Sequence, residues 1–258
     1  MRSIWLIAKS VLIEAVRRKE IYAIVLLSLI LITGILSIDF FEIKGLAKFY
    51  REAALQIMSL ATALTVIVLS CRQLPREFEN RTIYPLLAKP VGRFSFLSGK
   101  LLGVLLAAAF CFTLFMIIFV LGTLYLGASI PWVHFLEYIY LQMWAMAILA
   151  TMGFFLSLVM NLDAAITMGV LIFVTSDILI NGISYIYDFV GSWGRGVLAV
   201  LTFALPQFSL FDFSGKTIHS EVWPPIGIKT LGILTLYAMV FTGLYFLLSN
   251  LLFRRRAL

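Results

Sequence analysis

Six stretches of mostly apolar residues, each long enough as an α-helix to cross a hydrocarbon layer, limit the fold of this chain more than any other feature. They cover residues 21–41, 53–71, 101–127, 138–160, 164–187 and 230–253. Lipid offers no partner to a backbone N–H or C=O, so each stretch must satisfy its own hydrogen bonds, which a helix does within one segment. Composition points the same way: 62% of the 258 residues are hydrophobic, 13% are charged and the mean hydropathy is +1.04. A soluble domain is roughly half apolar and about a quarter charged. The surplus cannot be hidden in one core of this size, so it faces lipid. Disorder, a disulfide-stapled secreted scaffold and a free-standing soluble enzyme are excluded. The predicted fold class is an all-α integral membrane protein with six transmembrane helices in a single domain, 1–258. The first stretch is too long, and too weakly followed by a cleavage site, for a cleaved signal peptide.

An even number of spans puts both termini on one side, and the basic residues say which. Arg2, Lys9, Arg17, Arg18, Lys19, Arg72, Arg76, Arg81, Lys89, Arg93, Lys100, Arg254, Arg255 and Arg256 fall on the side of the termini; Lys44, Lys48, Arg51, Arg195, Lys216 and Lys229 fall on the other. By the positive-inside rule both termini are cytoplasmic. The net charge of +7 follows from topology and contact with anionic lipid headgroups, and needs no nucleic-acid partner. Cys71 and Cys111 lie away from the oxidising face, so no structural disulfide is expected.

Three segments outside the spans carry pattern. Residues 1–20 have helical period, with Ile4, Ala8, Val11, Leu12 and Ala15 on one face: an interfacial helix, or an inward extension of the first span. Residues 188–229 form the longer outer connection. Its apolar part, 197–205, is too short to span and ends at Pro206; it is a re-entrant or interfacial helix, or a loop packed on the bundle. His219 and Glu221 beyond it are expected to be solvated. The inner connection, 72–100, is the most informative. Asn80 or Thr82 can cap a short helix whose first turn tolerates Pro85, and Pro90 with Gly92 stops it. That helix would show Ile83, Leu86 and Leu87 at helical spacing below the membrane. It is built either to enter a groove on a soluble partner or to rest on lipid.

The run E-F-E-N-R-T-I-Y-P-L-L-A-K-P-V-G-R, followed by Gly99-Lys100, resembles the loop between the second and third spans of ABC-2 type transporter permeases. The resemblance extends along the chain: a basic N-terminal helix, six spans, Leu205-Pro206 in the last outer connection and a closing Phe253-Arg254-Arg255-Arg256. It implies that residues 79–88 are a coupling helix seated on a separate ABC ATP-binding subunit. Glu77, Glu79, Arg81, Thr82, Ile83, Leu86, Leu87, Lys89, Pro90 and Arg93 are the coupling candidates. It also implies an exporter in the inner membrane of a prokaryote, built from two permease copies, identical or merely similar. The chain has no P-loop of its own: Gly92 and Gly99-Lys100 are too far apart, and Leu101 stands where the Mg²⁺-binding hydroxyl belongs. ATP and Mg²⁺ are then handled by the partner subunit, and this chain binds no cofactor and is not an enzyme.

Polar residues at membrane depth are costly and therefore functional candidates. Asp177, Asn181, Ser184 and Asp188 are spaced four, three and four apart, on one helical face. Gln56, Ser59, Thr62 and Thr65 form a milder row in the second span. The two rows line a substrate route or a subunit interface, or act as helix–helix glue worth about 0.6 kcal/mol per bond. Ser95, Gly99, Gly103 and Ala107 recur every four residues, a pattern for close helix packing. Met143 and Met146 near His134 are read as filler, and no metal site is expected. Two other function classes compete. A membrane-embedded aspartyl protease would need a partner for Tyr187-Asp188, and Gly-x-Gly-Asp is absent; a serine protease would need His134 or His219 at membrane depth, and both sit in outer connections. An ATP-independent carrier would leave the coupling run unexplained.

Overall fold

A computed structural model describes residues 2–17, 22, 25–26, 29–30, 32–34, 46–79, 92–218 and 223–255. Its helices are α1 (Arg2–Arg17), α2 (Leu46–Glu79), α3 (Arg93–Tyr125), α4 (Trp132–Val159), α5 (Leu162–Ile186), α6 (Ser192–Ala204), α7 (Ser214–Ile218) and α8 (Ile228–Arg255). Single 3₁₀ turns cover Tyr187–Phe189 and Phe208–Phe211. The described residues contain no strand. Helices α2, α3, α4 and α8 are long and apolar enough to cross a membrane. The stretch 164–187 falls on α5 and its closing turn, whereas 21–41 lies mostly outside the described residues.

The helices alternate in direction, which gives the bundle two ends. The basal end holds the C-termini of α2, α4 and α8 and the N-termini of α3 and α5; the distal end holds the opposite termini with residues 187–218 and 223–227. At the distal end Gly127 takes φ +65°, a conformation that suits glycine, and closes the turn between α3 and α4.

Side-chain exposure shows which faces meet lipid. On α8, Leu234, Ala238, Phe241 and Tyr245 are buried on one stripe, while Ile233, Leu236, Val240 and Leu247 point outward with more than half of their surface free. A helix that is apolar on its outward side as well as its inward side belongs in lipid. Inside, aromatic rings knit α2, α3 and α4: Phe119 and Phe135 stack with centroids 5.2 Å apart, and Tyr50 and Phe119 at 6.4 Å.

The stripe of small residues on α3 is where α1 docks. A Cβ on Gly99 would lie 2.9 Å from Ile7 Cβ, and one on Gly103 only 2.6 Å from Val11 Cβ and 2.9 Å from the Ala8 carbonyl. Ala8, Val11 and Ala15, the face read from periodicity, are buried. Trp5 and Leu6 give α1 a second, exposed apolar side. Leucine at Gly103 should push the helices apart and cost about 1–3 kcal/mol. Thermal unfolding in detergent checks this, with Gly232→Leu as the control, since nothing lies within 4 Å of that position. A melting point for Gly103→Leu equal to the control's would show that α1 does not seat there.

Several boundaries differ from those the sequence suggests, at the starts of α2 and α4, around the inner connection and at the short outer helix. Helix α2 continues through Pro75 to Glu79, and α3 already begins at Arg93, so the inner connection shortens from 72–100 to the residues between Glu79 and Arg93. Apolar patterning ends a span where lipid ends, but here the protein itself takes over: Cys71, Gln73, Leu74 and Lys100 are all buried. Pro75 forfeits one backbone hydrogen bond without ending the helix. The short outer helix starts at Ser192, not at residue 197, and stops before Pro206.

Candidate functional site

The basal end is organised around Lys100. Its side chain is only 6% exposed, in the second turn of α3. A buried ammonium needs a counter-charge and acceptors. It is ion-paired with Glu77 and donates to Gln73 Oε1 at 3.1 Å, both near the end of α2. Its Nζ also sits 5.7 Å from the Phe96 ring, which stacks on Phe253 at 5.9 Å. Arg93 Nη1 donates to the Arg254 carbonyl at 2.8 Å. The two roots of the inner connection are therefore bolted to each other and to the end of α8.

Of the coupling candidates, Glu77 is committed to this internal pair and Arg93 to α8. Glu79 ends α2, with its side chain outside the described residues. Arg81, Thr82, Ile83, Leu86, Leu87, Lys89 and Pro90 lie outside them as well. Lys100 belongs to the motif in the sequence, but its pairing with Glu77 is not legible there. A carboxylate and an ammonium just inside two facing helix ends were the available signal. Gln73 and Phe96 gave none.

At the distal end the row on α2 meets partners on other elements. Gln142 Nε2 of α4 donates to Ser59 Oγ at 3.3 Å, and the buried Tyr138 hydroxyl donates to the Leu55 carbonyl at 3.3 Å. Gln56 Nε2 reaches Asp212 Oδ2 at 3.3 Å and Ser214 Oγ at 3.1 Å. Thr62 and Thr65 are fully enclosed and donate to carbonyls of their own helix, Met58 at 2.6 Å and Ala61 at 2.8 Å. Gln142, Tyr138, Asp212 and Ser214 were not singled out from sequence, because isolated polar residues in an apolar helix or a loop show no period.

Asp177, Asn181 and Ser184 are all on α5, and their side chains lie outside the described residues. Their depth follows from the backbone. Gly169 of α5 sits against Ile67 of α2, where a Cβ would lie 2.9 Å from Ile67 Cγ2. The helices run oppositely, so one residue forward on α5 matches one residue back on α2 at about 1.5 Å per step. Asp177 is then level with Ser59, and Asn181 with the turn that holds Gln56.

Residues 205–218 and 223–227 cover the distal end. Phe208 packs on Phe173 of α5 with centroids 5.4 Å apart, Phe211 on Tyr237 of α8 at 6.1 Å, and the Gln207 N–H donates to the Tyr237 hydroxyl at 3.0 Å. Thr217 donates to the His134 carbonyl at 3.4 Å, Glu137 accepts from the Ile226 N–H at 3.0 Å, and Lys216 lies 4.4 Å from the Phe213 ring centroid. His134 belongs to the first turn of α4, with Nε2 3.0 Å from the Trp223 carbonyl oxygen. No three described His, Cys, Asp or Glu residues come together as a metal site. The described cysteines, Cys71 and Cys111, are free and buried.

A search of curated proteins found no match. The family model described as ABC-2 family transporter protein matches residues 5–189. The match begins in α1 and ends in the turn after α5, so it takes in the basal pair, the inner connection and both polar rows. Well over half of the chain is covered, and the chain belongs to the ABC-2 transporter family: it is a multi-pass permease subunit of an ABC transporter, the kind of membrane chain that works with an ABC ATP-binding subunit.

Proposed function

We propose that this permease is one half of an ATP-driven exporter, with six spans, both termini in the cytoplasm of a prokaryotic cell and the basal end facing its ATP-binding subunit. The observation that carries the reading is the bolted root of the inner connection. A segment that receives force from a motor must pass it on, and the Lys100–Glu77 pair with the Phe96–Phe253 stack ties the roots of that segment to α2, α3 and α8 at once. Residues 79–88 then form the coupling helix, seated in a groove of the ATPase. The first span completes the set of six. Helix α1 meets α3 at Gly99 and Gly103, whereas α2 starts beside the last turns of α3, with the Tyr50 hydroxyl donating to the Ile118 carbonyl.

Two copies, or this chain and a similar one, form the route, with a two-fold dimer as the simplest closed arrangement. Gln56 and Ser59, the more open end of the α2 row, line it together with the row on α5. ATP binding closes the ATPase pair, draws the coupling helices together and moves α2 and α5, which exchanges access from one side to the other. This chain contributes no ATP site; ATP and Mg²⁺ are held by the partner.

The test combines topology with composition. In a Cys71→Ala/Cys111→Ala background, an impermeant maleimide should label Gly215→Cys on intact cells and Phe94→Cys only after the membrane is opened. The tagged chain, extracted mildly, should elute with an ABC ATP-binding subunit. Elution without any ATP-binding subunit, or labelling in the reverse order, would overturn the reading.

A further inference from the structure

We infer that the route carries a positively charged cargo, with Asp177 as the counter-charge at its middle and hydrogen-bond acceptors around it. The inference rests on the route proposed above and adds the charge class of what moves along it.

The six apolar stretches contain two carboxylates, Asp39 and Asp177, and no Lys, Arg or His, in a chain whose net charge is +7. Asp39 is near the outer end of its stretch, whereas Asp177 is near the middle of 164–187. A carboxylate at that depth calls for a counter-charge. Along α2, where Ser59 is level with Asp177, the first bases on either side are Arg51, about 12 Å outward, and Arg72, about 20 Å inward. Arg51 already donates to the Ser129 carbonyl at 3.3 Å. A second copy of this chain brings no base to that depth either, so the positive charge comes with the cargo.

The backbone register of α5 leaves Asp177 beside a path. Ala165, Gly169 and Ser176 are buried in the bundle, and Leu171, Val174 and Ile178 are exposed. At 3.6 residues per turn, Asp177 and Asn181 fall along the border between those two stripes.

The row on α2 at the same depth gives an independent argument, because its donors are turned into the protein. The hydroxyls of Thr62 and Thr65 donate to the Met58 and Ala61 carbonyls, Gln142 Nε2 donates to Ser59 Oγ, and Gln56 Nε2 to Asp212 Oδ2 and Ser214 Oγ. No described residue donates to the amide oxygen of Gln56 or of Gln142, so acceptors are what this row still offers. Asp212, exposed and 3.3 Å from Gln56 Nε2, carries negative charge on toward the distal end. A surface with its donors engaged and its acceptors open, beside a carboxylate, attracts a cation and repels an anion.

A matched pair of probes reads the sign of the charge. Tetraphenylphosphonium and tetraphenylborate share a shape and differ in charge, and their saturable binding to the permease–ATPase complex in nanodiscs is measured against empty nanodiscs. The cation should bind and the anion should not. Asp177→Asn should weaken cation binding about tenfold, the loss of one charged partner, and Asp177→Glu should retain most of it. Ser59→Asp, which adds a carboxylate at the same depth, should tighten it, a gain that no folding defect imitates. Anion binding as tight as the cation's, no saturable cation binding, unchanged affinity in Asp177→Asn or no gain in Ser59→Asp would each overturn the assignment. MgATP with orthovanadate should weaken cation binding as the route opens outward. Cation binding that depends on Asp177 and ignores nucleotide would leave the charge class standing and overturn the ATP-driven reading. Anion binding that nucleotide shifts, with the cation unaffected, would do the reverse.

Discussion

Replacing Glu77 with leucine is expected to destabilise the protein by about 3–5 kcal/mol, the largest effect of any single substitution outside the aromatic core. The cause is the charge left behind. Lys100 is almost fully enclosed, and without Glu77 its ammonium keeps only Gln73 and the face of Phe96. Replacing both partners, Glu77→Leu with Lys100→Met, removes the charge with its counter-charge and should recover most of the loss, since a buried pair exchanged for apolar groups is often neutral. Unfolding in mixed detergent micelles measures each variant and closes the double-mutant cycle. A Glu77→Leu protein as stable as the parent would mean that Lys100 has another way to be satisfied, and the bolted basal root would lose its physical basis. The double variant also separates stability from function: it should fold, yet transmit force less well, because a directional ion pair between α2 and α3 has become a slippery apolar contact.

The second large effect belongs to the inner connection. Leu86→Glu should weaken association with the ATP-binding subunit at least about thirtyfold, the loss of a single hot-spot anchor of about 2 kcal/mol. Leu86 is the natural anchor of the proposed coupling helix: helical spacing would put it on one apolar face with Ile83 and Leu87, with Glu79, Arg81 and Lys89 as the charged residues of the segment. A carboxylate carried into an apolar groove has to be desolvated without a partner. Glu79→Lys, at the rim, should cost less in affinity and more in association rate. Neither should change the unfolding free energy of the permease alone by more than about 0.5 kcal/mol, the expectation for a segment that docks on the partner subunit. Binding of the purified subunit to the permease in nanodiscs gives the affinities. Unchanged binding of Leu86→Glu would place the docking element elsewhere.

Sequence legibility divided along a physical line. Apolar length and period found the stretches that became α2, α3, α4 and α8, because lipid enforces a simple rule over some twenty residues. The four-residue recurrence of Ser95, Gly99, Gly103 and Ala107 marked a close-packed seam, although the element filling it, α1, was not named. Helix ends were misplaced where protein replaced lipid as the surroundings, as at Gln73 and Lys100. Pairings across the bundle were illegible. Nothing local to Gln56 points to Asp212, and nothing local to Gln142 points to Ser59; such contacts depend on how the helices come together. The coupling run was read from its resemblance to a family, and the family match agrees, whereas the roles of its individual residues rest on the experiments above.

The central claim is that the segment between Glu79 and Pro90 seats on an ATP-binding subunit. A photoreactive benzoylphenylalanine at position 86, irradiated in native membranes, tests it most directly. The account predicts one dominant adduct, containing the ATP-binding subunit, which disappears when that subunit is deleted. An adduct formed only with lipid would contradict it, and would leave the helix as one that rests on the membrane surface.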